Sequence, residues 1–355
     1  MKKNKLIILL IITFLIPGKF INAQIGGSHT YEFLNLTNSS RIAAMGGNFL
    51  TIKDHDLSLA LSNPSLITDK MHNNFALNFV DYYADINYGF ATYSRTFKKF
   101  GSFITGVQYV NYGTFTRADE TGQTYDDFKV SENAFYIGWS RQLDSNFSIG
   151  SNLKVIYSAL DSYYSYGIAV DVAGSYHSSR KNFTASFIAR NIGTQITSYV
   201  PGNPEPLPFE MQLGISKRLK HVPLRYSILY RHIEKFDLTY SDPNEPEQEF
   251  DPLTGELIPE KKLEKFADKV MRHLIIGAEF APVKNFYIRM GYNYQRRQEL
   301  KVASKVSTVG FSWGFGLRIS KFHFSYARAA YHLAGSPNII TITTDLSDFR
   351  RKKQG

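Results

Sequence analysis

Phe147-Ser148-Ile149-Gly150-Ser151-Asn152-Leu153-Lys154-Val155-Ile156-Tyr157 is the stretch that decides the fold. Phe147, Ile149, Leu153, Val155 and Tyr157 fall on one side, and Ser148, Gly150, Asn152 and Lys154 on the other. A period of two sends alternate side chains to opposite faces of a β-strand. The pattern returns down the chain: Tyr164, Tyr166, Ile168, Val170 and Val172 stand against Ser165, Gly167, Ala169 and Asp171. Phe209, Met211, Leu213 and Ile215 likewise stand against Glu210, Gln212 and Ser216.

About fourteen such segments are expected, from Asn74–Val80 to Asn338–Thr344. Most exceed the roughly five to six residues usual in globular sheets and match the roughly 9–11 residues a tilted strand needs to cross hydrocarbon. The class is therefore all-β: a transmembrane antiparallel up-and-down β-barrel of about 14 strands, apolar face to lipid and polar face to the lumen. Lys154, Asp171, Arg190, Glu210, Arg225, Glu279, Arg289 and Arg318 all fall on the polar face. A Lys or Arg facing lipid at the bilayer midplane costs about 2–4 kcal/mol, so the opposite orientation is untenable.

The joints alternate. Lys98–Phe100, Asp144-Ser145, Ser178–Lys181, His221, Pro282–Lys284 and Ser320-Lys321 are tight, whereas Gly113–Val130, Gly193–Leu207 and Leu238–Val270 are long. Outer-membrane barrels have short periplasmic turns and long outer loops. Tyr82, Tyr83, Tyr109, Tyr112, Tyr163, Phe236, Tyr240, Tyr292, Tyr294 and Tyr331 fall near strand ends, where an aromatic girdle is expected.

Residues 1–23 read as a secretory signal peptide: a basic start, an apolar run Leu6–Ile16 too short for a stop-transfer helix, and Ala23 before the cut. Removing Lys2, Lys3, Lys5 and Lys19 from the 41 basic residues leaves 37 against 31 acidic, a net +6. That modest, dispersed excess gives no reason to expect nucleic acid as a partner. The chain has no cysteine, which excludes disulfides and thiolate metal sites.

Residues 24–70 precede the ladder and are Gly- and Asn-rich. This segment either fills the lumen as a plug or pairs partly as an additional strand. Within it, 54–61 is expected to form a short helix capped by Asp54 or Asp56. The barrel proper is assigned to 71–345 and a basic periplasmic tail to 346–355.

Hydrolase chemistry needs a serine, a histidine base and an orienting group that converge. His177 near Ser178 and Ser179, and His323 near Ser325, are the available pairs, and both read as interfacial or lumenal polar residues. Asp119-Glu120, Asp126-Asp127 and the acidic run 242–251 lack the ordered spacing of a Ca²⁺ loop. No catalytic residue, metal ligand or cofactor is expected. Glu256–Lys269, with Leu257, Leu263 and Phe266, reads as an amphipathic helix inside the longest loop and is the preferred docking element for a partner.

Arg41-Ile42-Ala43-Ala44-Met45-Gly46-Gly47, followed by Asp54 and Asp56 and then Asn63-Pro64-Ser65-Leu66, resembles the opening of the FadL-like barrel superfamily. Met45, Gly46, Gly47, Asn63 and Pro64 are its candidate plug motif. Over nearly the whole mature chain the sequence is similar to the PorQ-like family of the type IX secretion system. The matching segments include Gly26–Leu36, Phe79–Gly89, Tyr112–Phe115, Arg190–Gln195 and Glu205–Glu210. That resemblance implies a non-enzymatic outer-membrane component of an attachment complex with PorU-, PorV- and PorZ-like partners. In that complex the barrel anchors the PorZ-like protein while cargo is processed and joined to lipopolysaccharide at the cell surface. Superfamily resemblance alone implies the alternative, a transporter of hydrophobic compounds across the outer membrane.

Overall fold

The computed structural model describes residues 29–239, 262–300, 308–330 and 335–349. The signal peptide, Leu257, Tyr240, Tyr331 and the tail beyond Phe349 lie outside the described residues.

Fourteen strands close into one antiparallel barrel in chain order. They are β1 Asn74–Asp81, β2 Asn87–Phe97, β3 Gly101–Ala118, β4 Thr124–Gln142, β5 Phe147–Leu160, β6 Tyr163–Ser178 and β7 Phe183–Thr197. The circuit continues with β8 Glu210–Arg218, β9 Leu224–Tyr230, β10 Leu274–Val283, β11 Phe286–Asn293, β12 Phe311–Ile319, β13 Phe322–Ala329 and β14 Asn338–Asp345. β14 closes on β1 in continuous register from Asn74↔Asp345 to Asp81↔Asn338. Closure leaves no edge strand, so the wall's backbone groups pair within the sheet.

The alternation places side chains as the period requires. In β5, Ser148, Gly150, Asn152, Lys154 and Ser158 are buried, while Phe147, Ile149, Leu153 and Val155 are exposed on the outside. Lys154, Asp171, Arg190, Glu210, Glu279 and Arg289 are all buried inside the barrel. No helix among the described residues is long and apolar enough to cross a membrane.

The wall is uneven. β3 to β7 run 14 to 19 residues, whereas β8 to β14 run 7 to 10. The joint expected at Gly113–Val130 is instead mostly an extension of the β3–β4 hairpin, with Thr114↔Lys129 and Phe115↔Phe128 in register. β7 likewise continues to Thr197 through a bulge at Asn191, where φ is 57° and the Asp171 carboxylate accepts the Asn191 N–H at 2.9 Å. β9, expected to reach Asp237, stops at Tyr230, where Arg231 turns inward to pair with Glu210 and His232 takes a φ of 51°. β11 ends at Asn293, whose side chain accepts the Arg296 N–H and starts helix α3 (Tyr294–Leu300). The preceding helices are α1 (Ser40–Ala44) and α2 (Lys262–Arg272).

Residues 54–61 do not form the expected helix. Only a 3₁₀ turn, Leu57–Leu59, is present, with Asp56 accepting the Ser58 N–H.

Candidate functional site

Residues 29–71 run inside the lumen and are almost wholly buried there. Apart from α1 and a few 3₁₀ turns, this segment has no regular structure to satisfy its backbone. Buried carbonyls and N–H groups must nevertheless find partners. The inner face of the wall supplies them. Gln108 donates to Phe33 O at 2.6 Å, Asn152 to Leu61 O at 3.1 Å, and Ser148 to Ser65 O at 2.8 Å. Ser216 donates to Thr51 O and Ser312 to Ala44 O, while Ser40 N and Gly46 N donate to the hydroxyls of Thr341 and Ser312. The segment's apolar side chains, among them Ile42, Met45, Phe49, Ile52 and Leu59, pack on one another to form a core of their own.

The five motif residues occupy two close-approach points. Gly46 and Gly47 have φ of 104° and 92°, a backbone region that other residues adopt only at a cost. Opposite them, the wall's Gly291 leaves room for the chain, since a Cβ there would lie 2.1 Å from Gly46 N. Met45 packs over Gly277. At the second point Asn63 is fully buried. Its Oδ1 accepts Ser65 N at 3.0 Å and its Nδ2 donates to Leu50 O at 2.7 Å, capping the turn Pro64–Leu66. Gly150 faces Pro64, 2.4 Å from where its carbonyl carbon would meet a Cβ.

Charge ties the segment to β9, β10 and β11. Arg41 makes a two-pronged contact with Glu279, Nε to Oε2 at 2.8 Å and Nη2 to Oε1 at 2.9 Å. Its Nη1 reaches Asp54 at 2.8 Å and Asp56 at 2.9 Å. Glu279 also takes Arg289 at 2.8 Å and Arg225 at 3.1 Å. Three arginines and three carboxylates thus balance in one buried network. Lys154–Asp171 at 2.8 Å and Arg231–Glu210 at 2.7 Å are further buried pairs.

At the long-loop end, Tyr82, Tyr83 and Tyr112 do not join an outer girdle. Tyr82 and Tyr112 pack against an inner cluster with Tyr31, Phe33, Leu34 and Tyr88. Tyr83 packs against Tyr82 with ring planes tilted by 56° and donates to Gly335 O. The reason is polar as well as steric: Tyr112 donates to buried Glu132 at 2.6 Å, and Tyr31 bonds Ser165. Tyr109, Tyr163 and Phe236 are exposed, Tyr109 on the outer face of β3 between buried Gln108 and Val110.

α2 lies on the low rim. Asp268 binds Arg272 at 2.7 Å and Tyr294 at 2.8 Å, and Lys269 reaches Asp237 at 2.6 Å. Burial pushes the Asp237 carboxyl up, but the Lys269 and Thr239 hydrogen bonds outweigh it and hold the group at about 2. Phe266 packs against Phe236 with ring centroids 6.0 Å apart, while Leu263 is 80 % exposed.

The hydrolase pairs do not assemble. His177 Nδ1 lies 2.9 Å from Thr184 Oγ1; His323 packs edge-on against His55, and Ser325 accepts from Arg289. Among the described residues no group of three His, Asp or Glu is arranged to hold a metal ion. Asp119 spends its carboxylate on its own hairpin tip, bonding Thr121, Tyr125 and the Gln123 N–H. Sequence reasoning missed Glu279 and Gln108 as anchors and Gly291 as a close-approach point. The one available signal was their place on the inward face of an alternating strand.

With this geometry in hand, the chain can be set beside known proteins. No protein-family model matches it, and no curated protein matches it in sequence. Solved structures do match in fold. The toluene transporter TodX of Pseudomonas putida superposes with a TM-score of 0.52 at 12% identity, covering 87% of this chain and 96% of TodX. A TodX deletion mutant, described as a monoaromatic hydrocarbon channel, gives 0.51 at 11% identity over 87% and 99%. A FadL homologue of Pseudomonas aeruginosa gives 0.46 at 12% identity over 87% and 98%. The chain shares its closed-barrel fold with TodX.

Proposed function

We propose that this chain is a non-enzymatic outer-membrane scaffold whose long-loop rim holds a surface partner. The observation that carries the reading is the filled lumen. Residues 29–71 are bonded to the wall along their length and occupy the space a permeant would need. The exposed Leu263 on α2 gives the rim an apolar contact point. Combined with the PorQ-like resemblance, this supports a PorZ-like surface protein as the partner, with PorU- and PorV-like components completing a type IX attachment complex at the lipopolysaccharide surface.

Deleting 242–269 should release the partner while the barrel still inserts and keeps its heat-modifiable mobility on semi-native gels. A partner that co-purifies undiminished with the deletion variant would remove this loop from the proposal. Unchanged cargo attachment in cells lacking the chain would defeat the secretion reading altogether.

A second reading has its own observation. The shared fold is with proteins described as a toluene transporter and a monoaromatic hydrocarbon channel, and it speaks for transport more directly than for attachment. On that reading the lumenal segment must shift to admit a hydrophobic compound. Liposomes carrying the purified barrel separate the two: saturable toluene entry above that of empty liposomes supports the transporter, and none is expected for the scaffold.

A further inference from the structure

A cavity of about 570 Å³ lies in the barrel at the short-turn end. That is within the roughly 300–1,000 Å³ usual for small-molecule sites. Its lining is charged rather than greasy. The deepest charges are the network already described, Arg41, Arg225 and Arg289 against Asp54, Asp56 and Glu279, and these balance. The rest of the lining does not. Lys53, Lys70, Arg218, Arg318 and Lys321 face it, against only Asp345 and Asp348, an excess of three positive charges.

The side chains of Lys70, Arg218 and Arg318 have no ion-pair partner among the described residues, and Lys53 has a 3.5 Å contact to Ser148 and the attraction of the Asp69 carboxylate, with no salt bridge. Lys321 is spent on the Asp348 carbonyl at 2.7 Å and on the face of Phe349. The segment that follows, Arg350-Arg351-Lys352-Lys353, carries charge of the same sign and would not neutralise the cavity. Like charges gathered around a concave site raise the local concentration of anions. Arginine presents a planar fork suited to phosphate oxygens, and lysine adds a point charge.

We propose that this cavity is a binding site for a small, multiply charged phosphate-type anion. Arg218 and Arg318 bind it by paired hydrogen bonds from the two sides of the mouth, β8 and β12, and Lys53 binds it from the lumenal segment. The site is independent of whether the long-loop rim holds a partner or the barrel transports.

The test uses the full mature protein in detergent and inorganic pyrophosphate as the probe, titrated calorimetrically at constant ionic strength. Saturable one-site binding is expected, weakened at least ten-fold in the double variant Arg218→Gln/Arg318→Gln. Lys53→Gln should weaken it separately. Heat-modifiable mobility confirms that each variant remains a folded barrel, and Arg218→Lys/Arg318→Lys should recover part of the affinity by restoring charge. Absence of saturable binding overturns the proposal. So does binding that the glutamine variants leave unchanged, or binding that sodium chloride at matched ionic strength abolishes.

Discussion

The wall and the segment inside it meet the same requirement by opposite means. Both hold backbone away from water. The wall satisfies its N–H and C=O groups through a closed strand ladder that needs no particular side chain. The lumenal segment forms no ladder and borrows Gln108, Asn152, Ser148, Ser216 and Ser312 from the wall's inner face. Side-chain changes on that face should therefore spare the barrel and undo its contents.

The largest expected effect comes from Glu279→Ala. It leaves Arg41, Arg225 and Arg289 gathered around a missing carboxylate. Removing one partner of a buried ionic network typically costs about 3–5 kcal/mol. Trypsin should then cleave at Arg41 and Lys53 while the barrel keeps its heat-modifiable mobility. Equal protection of both sites in the variant would mean that the network does not hold the segment.

A pair of glycines sharpens the contrast at smaller scale. Gly291→Val would drive a side chain into the backbone at Met45 and Gly46, so a cost of about 1–3 kcal/mol is expected, again read as exposure of the segment. Gly174 lies among outward-facing residues with no atom within 4 Å of its would-be Cβ, and Gly174→Ala should leave protection unchanged. Similar outcomes for the two would break the distinction between inner and outer faces.

The smallest effect lies beyond both regions, at the tip of the β3–β4 hairpin. Hydrogen bonds from Thr121, then Tyr125 and the Gln123 N–H, hold the exposed Asp119 carboxyl at about 2. A depressed folded-state value means these contacts contribute fully above the ordinary carboxylate range and are lost as pH falls through about 2. The Thr121 and Gln123 amide resonances should shift over that window, with the barrel and lumenal signals unmoved at its upper edge. Asp119→Asn should remove the transition.

The strands were legible because lipid outside and a polar interior impose a strict period of two, and Phe147–Tyr157 shows it without help from distant residues. Strand ends were less so. β9 stops at Tyr230 because Arg231 answers Glu210, and β3 and β4 run on because their backbones and the Phe115 and Phe128 rings pair beyond the wall. The lumenal segment was visible as a polar block outside the ladder, and its Gly46-Gly47 and Asn63-Pro64 pairs stood out as turn chemistry. Its route was not legible, since each bond joins residues far apart in the chain, as Arg41 and Glu279 do. Tyr82, Tyr83 and Tyr112 were misplaced for a related reason: an aromatic near a strand end suits either a girdle or an inner cluster, and Glu132 decided it for Tyr112.

The sequence by itself determined a closed all-β wall with charges turned inward, because alternation acts between neighbours and one inverted strand would place arginine or lysine in lipid. Only the tertiary structure decided what those inward groups do. Charge balance and backbone satisfaction are properties of residues brought together from across the chain, and they leave no local pattern to read.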